Sequence, residues 1–509
     1  MNLASDSYVL AISILVALYA GVILFFVIRG ALRIKSMQDY AVGNVNFSPV
    51  AVGLALAASM TSAATFIINP GFIGLYGISG VLSFGLVMPL AIFVSLILFT
   101  KGFRKMGQTV KATTMAQWMG QMHRSKGYAL FFAVLSLLLI TFIVLICVGL
   151  TQVLSRSLNA DPQWILAALV IFIFGYMMFG GANSMVYTNA IQAVLMAIVA
   201  VILLTSGYEH FSDGVSGFFA KLEGIDPLLA SSTNPESFLF RDYFEIIFCQ
   251  AVIGIAIVCQ PHIITKSLLL KSDRDVNRYL GVGIGVLVLF FLVVFAGLFA
   301  RLQFPDMTAN GEAIPMDGLI SAYVVARFPV YVGLVVVLGL LSAGLSTLEG
   351  LIQSLSSTIT TDLIRPVLGK RLYGEGNDRR EMVVNKGVIV VLAVASFFLS
   401  RQQLLHPNLS VGIFAQNGVY AYFSAAFVPV LFGMFFRQAS LRTVWIASGV
   451  ALLVHFGVYY GNIGAYMQEP VNNPAIASTF ALLSSVAVGL LLYFVTDRRA
   501  VVQLETHHA

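Results

Sequence analysis

The sequence predicts an all-α polytopic membrane protein with thirteen transmembrane helices, and three observations carry that prediction. Of its 509 residues, 59% are hydrophobic and only 10% are charged, whereas soluble domains carry about 25% charged residues. A spanning helix needs about 20 mostly apolar residues, and thirteen stretches meet this requirement. With the N-terminus outside and the C-terminus inside, most of the 29 Lys and Arg residues fall on the inner side, as cytoplasmic loops require. The thirteen stretches cover residues 9–29, 48–76, 78–100, 127–154, 160–181, 184–208, 243–264, 279–301, 328–362, 384–403, 410–435, 442–461 and 474–496.

The second stretch is a poor lipid-facing helix. Small and hydroxyl-bearing residues crowd its centre between Ala57 and Thr65, and Asn69-Pro70-Gly71 is expected to interrupt it. Lipid cannot satisfy the backbone carbonyls that such a break frees, so the segment must pack in protein or line a polar cavity. Broken helices of this kind hold ions and substrate in secondary transporters. The alternative is a small-residue interface between packed helices.

The seventh stretch shows similar interruptions, with Gly254 at mid-membrane and Gln260-Pro261-His262 near its inner end. Broken helices at matching positions in two halves point to an inverted repeat with a binding site at the interface of the halves. The predicted organisation is a single transporter domain, residues 1–509. Its parts are a first repeat at 48–208, a second repeat at 243–435, and peripheral helices within 1–47 and 436–509.

The ninth stretch carries polar side chains along one face. Ser342, Ser346, Glu349 and Gln353 recur at three- and four-residue spacing, and Thr347 adjoins Ser346. Hard cations take oxygen ligands. Two hydroxyls together with freed carbonyls from a loosened neighbouring helix would therefore form a neutral cage for Na⁺. Hydrogen bonding between helices by Ser and Thr is the alternative reading.

The order of motifs resembles that of the sodium:solute symporter family, the relatives of sodium/proline, sodium/pantothenate and sodium/sugar symporters. The resemblance covers nearly the whole chain up to about residue 435, and the combination of motifs is more specific than any single piece. The motifs that carry it are Asp39-Tyr40-Ala41-Val42-Gly43, the run from Gly180-Gly181 to Thr188-Asn189 and Gln192, Gln260-Pro261-His262-Ile263, Ser346-Thr347 followed by residues 356–363, and Ala425-Ala426-Phe427-Val428-Pro429.

The resemblance implies a LeuT-type fold and Na⁺-coupled uptake of a small organic solute by alternating access. It implies that Na⁺, the coupling ion, binds between the second and ninth helices. The ligands it implies are the carbonyls of Ala58, Thr61 and Ala343 and the hydroxyls of Ser346 and Thr347. It implies a substrate site beside the ion, and the expected substrate-binding residues are Ser59, Ser62, Thr65, Gly254, Ile257, Gln416 and Asn417.

The sequence departs from the family pattern at two places. Asn189 stands where the family usually has Asp, which leaves the inner cation pathway without its carboxylate. Glu349 lies one helical turn inward of Ser346, and an ionisable residue at membrane depth is a functional candidate by default. We expect Glu349 to replace the absent Asp as a way-station for the cation. A proton-binding role and a plain hydrogen bond to a neighbouring helix remain alternatives.

The second departure concerns the substrate. Ile253 and Ile257 stand where proline-type members have aromatic residues, so proline is not the expected substrate. A carboxylate or an amino-acid-like solute is expected, because helix amides and the ion could receive a carboxylate. Sugars and ureides are the alternative substrate classes.

Other classes of function remain to be weighed. An uncoupled facilitator or a transporter-like membrane sensor could share this fold, and loss of uptake on removing Na⁺ would separate a symporter from a facilitator. An enzyme is not expected, because no metal cluster or nucleophile–base pair lies at membrane depth. The expected partners are the solute, Na⁺ and the lipid bilayer of the cell membrane, with no nucleic acid despite the net charge of +6, and a monomer is the working expectation.

Overall fold

The computed structural model of the protein describes residues 4–32, 34–43, 47–372, 378–406, 410–436, 439–467 and 471–497. Helices make up nearly all of the regular structure in these ranges, and a two-residue hairpin pairs Thr308–Ala309 with Glu312–Ala313. In chain order the main helices are α1 (Asp6–Ala31), α2 (Pro49–Met60), α3 (Ala64–Tyr76), α4 (Ile78–Val110), α5 (Lys126–Leu158), α6 (Pro162–Met177), α7 (Ala182–Phe211), α8 (Phe244–Cys259), α9 (Pro261–Leu269), α10 (Asp273–Gln303), α11 (Val330–Gly369), α12 (Arg379–Leu405), α13 (Val411–Phe435), α14 (Leu441–Tyr460) and α15 (Pro474–Asp497).

The number of membrane spans follows from the length and composition of these helices. Within the described ranges, 10 helices are long and apolar enough to cross a membrane, and the bent pairs α2–α3 and α8–α9 raise the number to 12. The remaining predicted stretch contains α6, an apolar helix of only 16 residues. The all-helical, many-span architecture is therefore as predicted, whereas thirteen crossings and the orientation of the termini stay predictions.

The break in the second span lies earlier than the sequence suggested. Helix α2 ends at Met60, and α3 leaves at an angle of 52° after the non-helical residues at 61 and 62. The expected interruption at Asn69-Pro70-Gly71 is wrong, because α3 runs straight through it. A π-helical turn at Ala64–Ile68 precedes the proline, and a wider turn of this kind accommodates a residue that cannot donate a backbone hydrogen bond.

Local hydrogen bonds of Ser62 explain where the chain breaks. The Ser62 hydroxyl accepts a bond from the Ala64 amide at 3.0 Å, and the Ser62 carbonyl accepts from the amides of Thr65 and Phe66. Ser is favoured before a helix start because its side chain can satisfy the first free amides. Ser62 therefore caps the start of α3, and the chain takes the new direction of α3 from this residue.

The second broken span lies at the predicted Gln260-Pro261-His262. Helices α8 and α9 meet at 62°, and Gln260 has the extended backbone (φ −68°, ψ 135°) that a following proline favours. Gly254, the other expected interruption, lies inside regular helix at Gln250–Ala256. Both broken spans are thus present, with the second break at one place instead of two.

The two broken spans surround a buried centre. Helix α11 packs against α2 and α7, α10 lies along α2, and α13 packs against α5, α14 and α15. Helices α11 and α13 are mostly buried inside the protein, whereas α1, α12 and α14 direct most of their residues outward. Helix α11, which carries the buried Ser346, Thr347 and Glu349, therefore lies inside the protein against the break in the second span.

The segment between α10 and α11 contacts both α3 and the start of α13. The Asp317 carboxylate accepts hydrogen bonds from the Ser410 hydroxyl at 2.6 Å and the Val411 amide at 2.9 Å, which caps the start of α13. Nearby, Gly71 lets the backbone of α3 approach the Met316 carbonyl so closely that any side chain there would collide with it. Helix α3 is therefore held by a close backbone contact near its middle.

Candidate cation and substrate site

The break in the second span brings carbonyl oxygens of α2 against hydroxyls of α11. Ala58 and Ser59 belong to the last turn of α2, where carbonyls lack the helical donors that lie one turn further on. The Ser346 hydroxyl donates to the Ala58 carbonyl at 2.8 Å, and the Thr347 hydroxyl donates to the Ser59 carbonyl at 3.0 Å. These contacts join the broken helix to α11 at the place where the sequence suggested a cation site.

Four of the five expected Na⁺ ligands are close together. The Ser346 hydroxyl lies 3.1 Å from the Ala343 carbonyl as well as against Ala58, and Thr347 adjoins it. The Ser59 carbonyl joins this group, although the sequence suggested only a substrate role for Ser59. Thr61, the fifth, lies at the break, where its amide and its hydroxyl both bond the Ala57 carbonyl, at 3.1 and 2.7 Å.

The chemistry of this donor set suits a monovalent hard cation. Ala58, Ala343, Ser346 and Thr347 are completely buried, and their oxygens are neutral. Each hydroxyl now donates to a carbonyl, but it also has lone pairs that could turn toward an ion. The C-terminal end of α2 adds a partial negative charge. Within the described residues, no group of three or more His, Cys, Asp or Glu side chains could hold a metal ion.

Asn189 of α7 completes the polar surroundings of this cluster. Its amide nitrogen lies 3.2 Å from the Ser59 hydroxyl and 3.4 Å from the Ser346 carbonyl. Its amide oxygen is buried, and within the described part of the chain it has no hydrogen-bond partner. A buried acceptor without a donor is costly, so this oxygen could serve as a further neutral ligand for a cation.

Glu349 is buried one turn further along α11, and its carboxylate connects three helices. Tyr176 of α6 donates to one carboxylate oxygen at 2.7 Å, and Thr188 of α7 donates to the other at 3.1 Å. This is the interhelical hydrogen bonding that the sequence left open as an alternative. The role of Glu349 on the cation pathway stays a prediction.

A cavity beside the cluster contains part of the predicted substrate site. Ser62, Thr65, Ile257 and Gln416 line it. The volume of this cavity is about 80 Å³. Ser62 and Thr65 lie directly after the break, so the wall of this cavity is continuous with the backbone that carries the cation cluster.

Three predicted substrate residues lie outside the lining of that cavity. The Ser59 hydroxyl donates to the Ser346 carbonyl at 3.2 Å. Gly254 faces α4, where an added Cβ would lie 2.6 Å from the Met88 carbonyl. Asn417 faces α14 and bonds Tyr460 and His455. Each of the three therefore makes a contact between helices at its present position.

Two residues of the second broken span belong to the cavity although the sequence did not assign them to the substrate. Gln260 and His262 line it, and the Gln260 amide oxygen and both His262 ring nitrogens are buried without hydrogen-bond partners in the described residues. Gln-Pro-His at a helix break was the available signal. None of the described lining residues is Asp, Glu, Lys or Arg, and the apolar part includes Phe84, Met88 and Phe142.

These features define a class: a membrane protein with two broken spans, a cluster of neutral oxygen ligands at the first break, and a cavity beside that cluster. Comparison with known proteins gives the same class. A solved Na⁺-coupled sialic acid symporter, in a substrate-bound outward-open state, superposes with a TM-score of 0.75, 16% sequence identity and coverage of 94% of this chain and 96% of the other. The chain therefore has the LeuT-type fold of that transporter.

The sequence comparisons agree. The sodium/pantothenate symporter of Escherichia coli is 25% identical over 86% of this chain and 90% of its own length. The sodium/sialic acid symporter NanT of Aliivibrio fischeri is 22% identical over 88% and 89%. The model of the sodium:solute symporter family matches residues 40–443.

The chain belongs to the sodium:solute symporter family, as its motifs predicted. It is accordingly a multi-pass protein of the cell membrane, and Na⁺ is its coupling ion. Members of this family are transporters, which points away from an enzyme.

Proposed function

We propose that this protein takes up a small organic solute, a carboxylate or an amino-acid-like compound, by Na⁺ symport with alternating access. The observation that supports this most is the contact of the Ser346 and Thr347 hydroxyls with the Ala58 and Ser59 carbonyls, at 2.8 and 3.0 Å. An ion bound there holds the broken helix against α11. Loss of the ion frees α2 and α3 to move relative to α11.

Coupling follows from the continuity between the cation cluster and the cavity. Na⁺ orders the chain up to the break, and Ser62 and Thr65, just beyond it, face the cavity. The solute therefore meets a completed wall only when the ion is bound. The membrane potential contributes roughly 2.3 kcal/mol per charge per 100 mV to the inward movement of the ion. Glu349 attracts the departing ion on its inner side, and Asn189, which contacts Ser59 and Ser346, borders the start of that path.

The cavity lining suits a solute with one polar end and a compact apolar body. Gln260, His262 and Gln416 supply amide and imidazole groups, and Phe84 and Phe142 supply apolar surface. A carboxylate matches the polar end because Na⁺ would lie close by. The known relatives with pantothenate and sialic acid as solutes make these two carboxylates the first compounds to test.

The test begins with thermal unfolding of the purified full-length protein in a panel of solutes. The panel contains pantothenate, sialic acid, amino acids and short carboxylates, each in Na⁺ and in choline. A solute that stabilises only with Na⁺ present is then used in proteoliposomes with an imposed Na⁺ gradient. Uptake that is unchanged when choline replaces Na⁺ would leave an uncoupled facilitator. Binding without any uptake would leave a transporter-like sensor.

A further inference from the structure

A second, smaller cavity lies on the other side of His262 from the candidate substrate cavity. His262 lines both. The smaller cavity is also lined by Thr113, Thr114, Lys266, Gln353 and Ser357, and in the predicted orientation it lies toward the cytoplasm. His262 is thus the partition between a cavity without charged residues and one that contains a lysine.

Lys266 is the unusual member of this lining. Only 5% of it is exposed, and within the described residues its ammonium makes neither a hydrogen bond nor an ion pair. The Ser357 hydroxyl and both ring nitrogens of His262 are likewise buried without partners in that part of the chain. Lys266 is therefore the cation of this cavity, and Ser357 and His262 add polar atoms that have no partner among the described residues.

The neighbouring carboxylates are occupied elsewhere. The two oxygens of Glu349 accept bonds from Tyr176 and Thr188. Asp362, at the same end of α11, accepts bonds from Thr114 and Gln117. A buried charge is expensive unless it is paired, so the cavity offers a place where an anion would be stabilised.

We propose that this cavity binds the carboxylate of the transported solute through Lys266 on the inner part of its path. This rests on the proposed function, and it makes the substrate an anion. The volume of this cavity is about 40 Å³. This corresponds to roughly three waters and fits a carboxylate group. Na⁺ and solute then have separate inner contacts, because Glu349 attracts the cation and Lys266 attracts the anion.

The experiment compares propionate with propionamide, which has the same size without the charge. The full-length protein is purified, Na⁺ is replaced by choline, and thermal unfolding is followed as each compound is titrated at constant ionic strength. The variants are Lys266→Gln, Lys266→Arg and Ser357→Ala. Lys271→Gln is the matched control, because it removes a lysine that is exposed and lies outside the cavity lining.

Propionate, and not propionamide, is expected to stabilise the wild type, Lys266→Arg and Lys271→Gln. Lys266→Gln is expected to bind propionate about tenfold or more weakly, since it loses a charge-assisted contact, and Ser357→Ala is expected to lose less. Equal responses to the two compounds, or an unchanged propionate response in Lys266→Gln, would overturn the proposal.

A second measurement decides the matter if Lys266→Gln does not fold. Thr265→Cys adds a thiol to the cavity lining, and the three native cysteines are buried. Propionate should slow alkylation of this thiol, and propionamide should not; equal rates would refute anion binding.

Stabilisation by Na⁺ is measured on the same samples. If propionate stabilises the protein and Na⁺ does not, only the symport proposal is refuted. If Na⁺ stabilises the protein and propionate does not, only the anion site is refuted.

Discussion

The hydroxyls of Ser346 and Thr347 allow the cation cluster to be tested one ligand at a time. Ser346→Ala and Thr347→Val each remove one hydroxyl, and valine keeps the shape of threonine. Each hydroxyl makes one short bond to a freed carbonyl, at 2.8 and 3.0 Å. The loss of such a contact costs about 1–3 kcal/mol when the remaining partner is left buried. In the Na⁺-bound state each hydroxyl would instead supply one oxygen ligand, and a loss of about 1–3 kcal/mol of that ion contact makes Na⁺ bind each variant about 5- to 150-fold more weakly.

The assay is the rise in the unfolding temperature of the purified protein as NaCl replaces choline chloride at constant ionic strength, because a ligand of the folded state stabilises it by mass action. Thr347→Ser keeps the hydroxyl and should respond nearly as the wild type does. Ser485→Ala is the matched control. It removes a buried interhelical bond of the same length, from Ser485 to the Ala447 carbonyl at 2.8 Å, away from the cluster.

Ser485→Ala should lower the unfolding temperature in choline about as much as Ser346→Ala does, while keeping the affinity for Na⁺. Loss of Na⁺ affinity in Ser346→Ala and Thr347→Val but not in Ser485→Ala separates ligand loss from general destabilisation. If both cluster variants respond to Na⁺ with the wild-type midpoint, the two hydroxyls are no more than helix–helix contacts, and the reasoning fails.

Three further predictions concern other parts of the molecule. Glu349→Gln should change the Na⁺ and pH dependence of transport because the variant cannot attract a departing cation; unchanged profiles would end its role as a way-station. Gly71→Ala should destabilise the protein by about 1–3 kcal/mol in thermal unfolding, because the new Cβ meets the Met316 carbonyl, and a wild-type unfolding temperature would contradict that packing. Burial lowers the pKa of His123 from 6.5 to about 4 despite its bond to the Pro429 carbonyl; its contribution to stability is present above pH 6.5 and is lost as the pH falls toward 4. His123→Gln should therefore lose less stability than the wild type between about pH 7 and pH 5, and equal losses would exclude this histidine.

The spans could be predicted because a bilayer requires long apolar runs. That Ser346 and Thr347 face other helices was also within reach, because adjacent hydroxyls on a polar helix face rarely point to lipid. What the motifs added was the partner helix. Composition alone could not have said that the carbonyls opposite belong to Ala58 and Ser59.

The exact break could not be predicted from the proline. Pro70 is the strongest breaker in the second stretch, yet α3 passes through it after a π-helical turn. The break falls at residues without Gly or Pro, where the Ser62 side chain and carbonyl replace helical bonds. Competition between helical bonds and local side-chain bonds is decided by small energies, and the sequence does not display them.

The face of a helix beside a break is equally hard to predict. Gln416 lines the cavity whereas Asn417, its neighbour, turns toward His455, since successive residues of a helix point about 100° apart. Gly254 points to α4 while Ile257 reaches the cavity. A π-helical start and a 3-10 end of α8 shift the regular periodicity, so spacing along the sequence does not fix these directions.

The most direct measurement is a pair of high-resolution cryo-EM maps of one protein preparation, in Na⁺ and in choline. We expect a peak present only in Na⁺, in contact with the carbonyls of Ala58 and Ala343 and with the hydroxyls of Ser346 and Thr347. Identical maps in which both hydroxyls still bond the α2 carbonyls, with no peak between them, would contradict the site on which the proposed coupling depends.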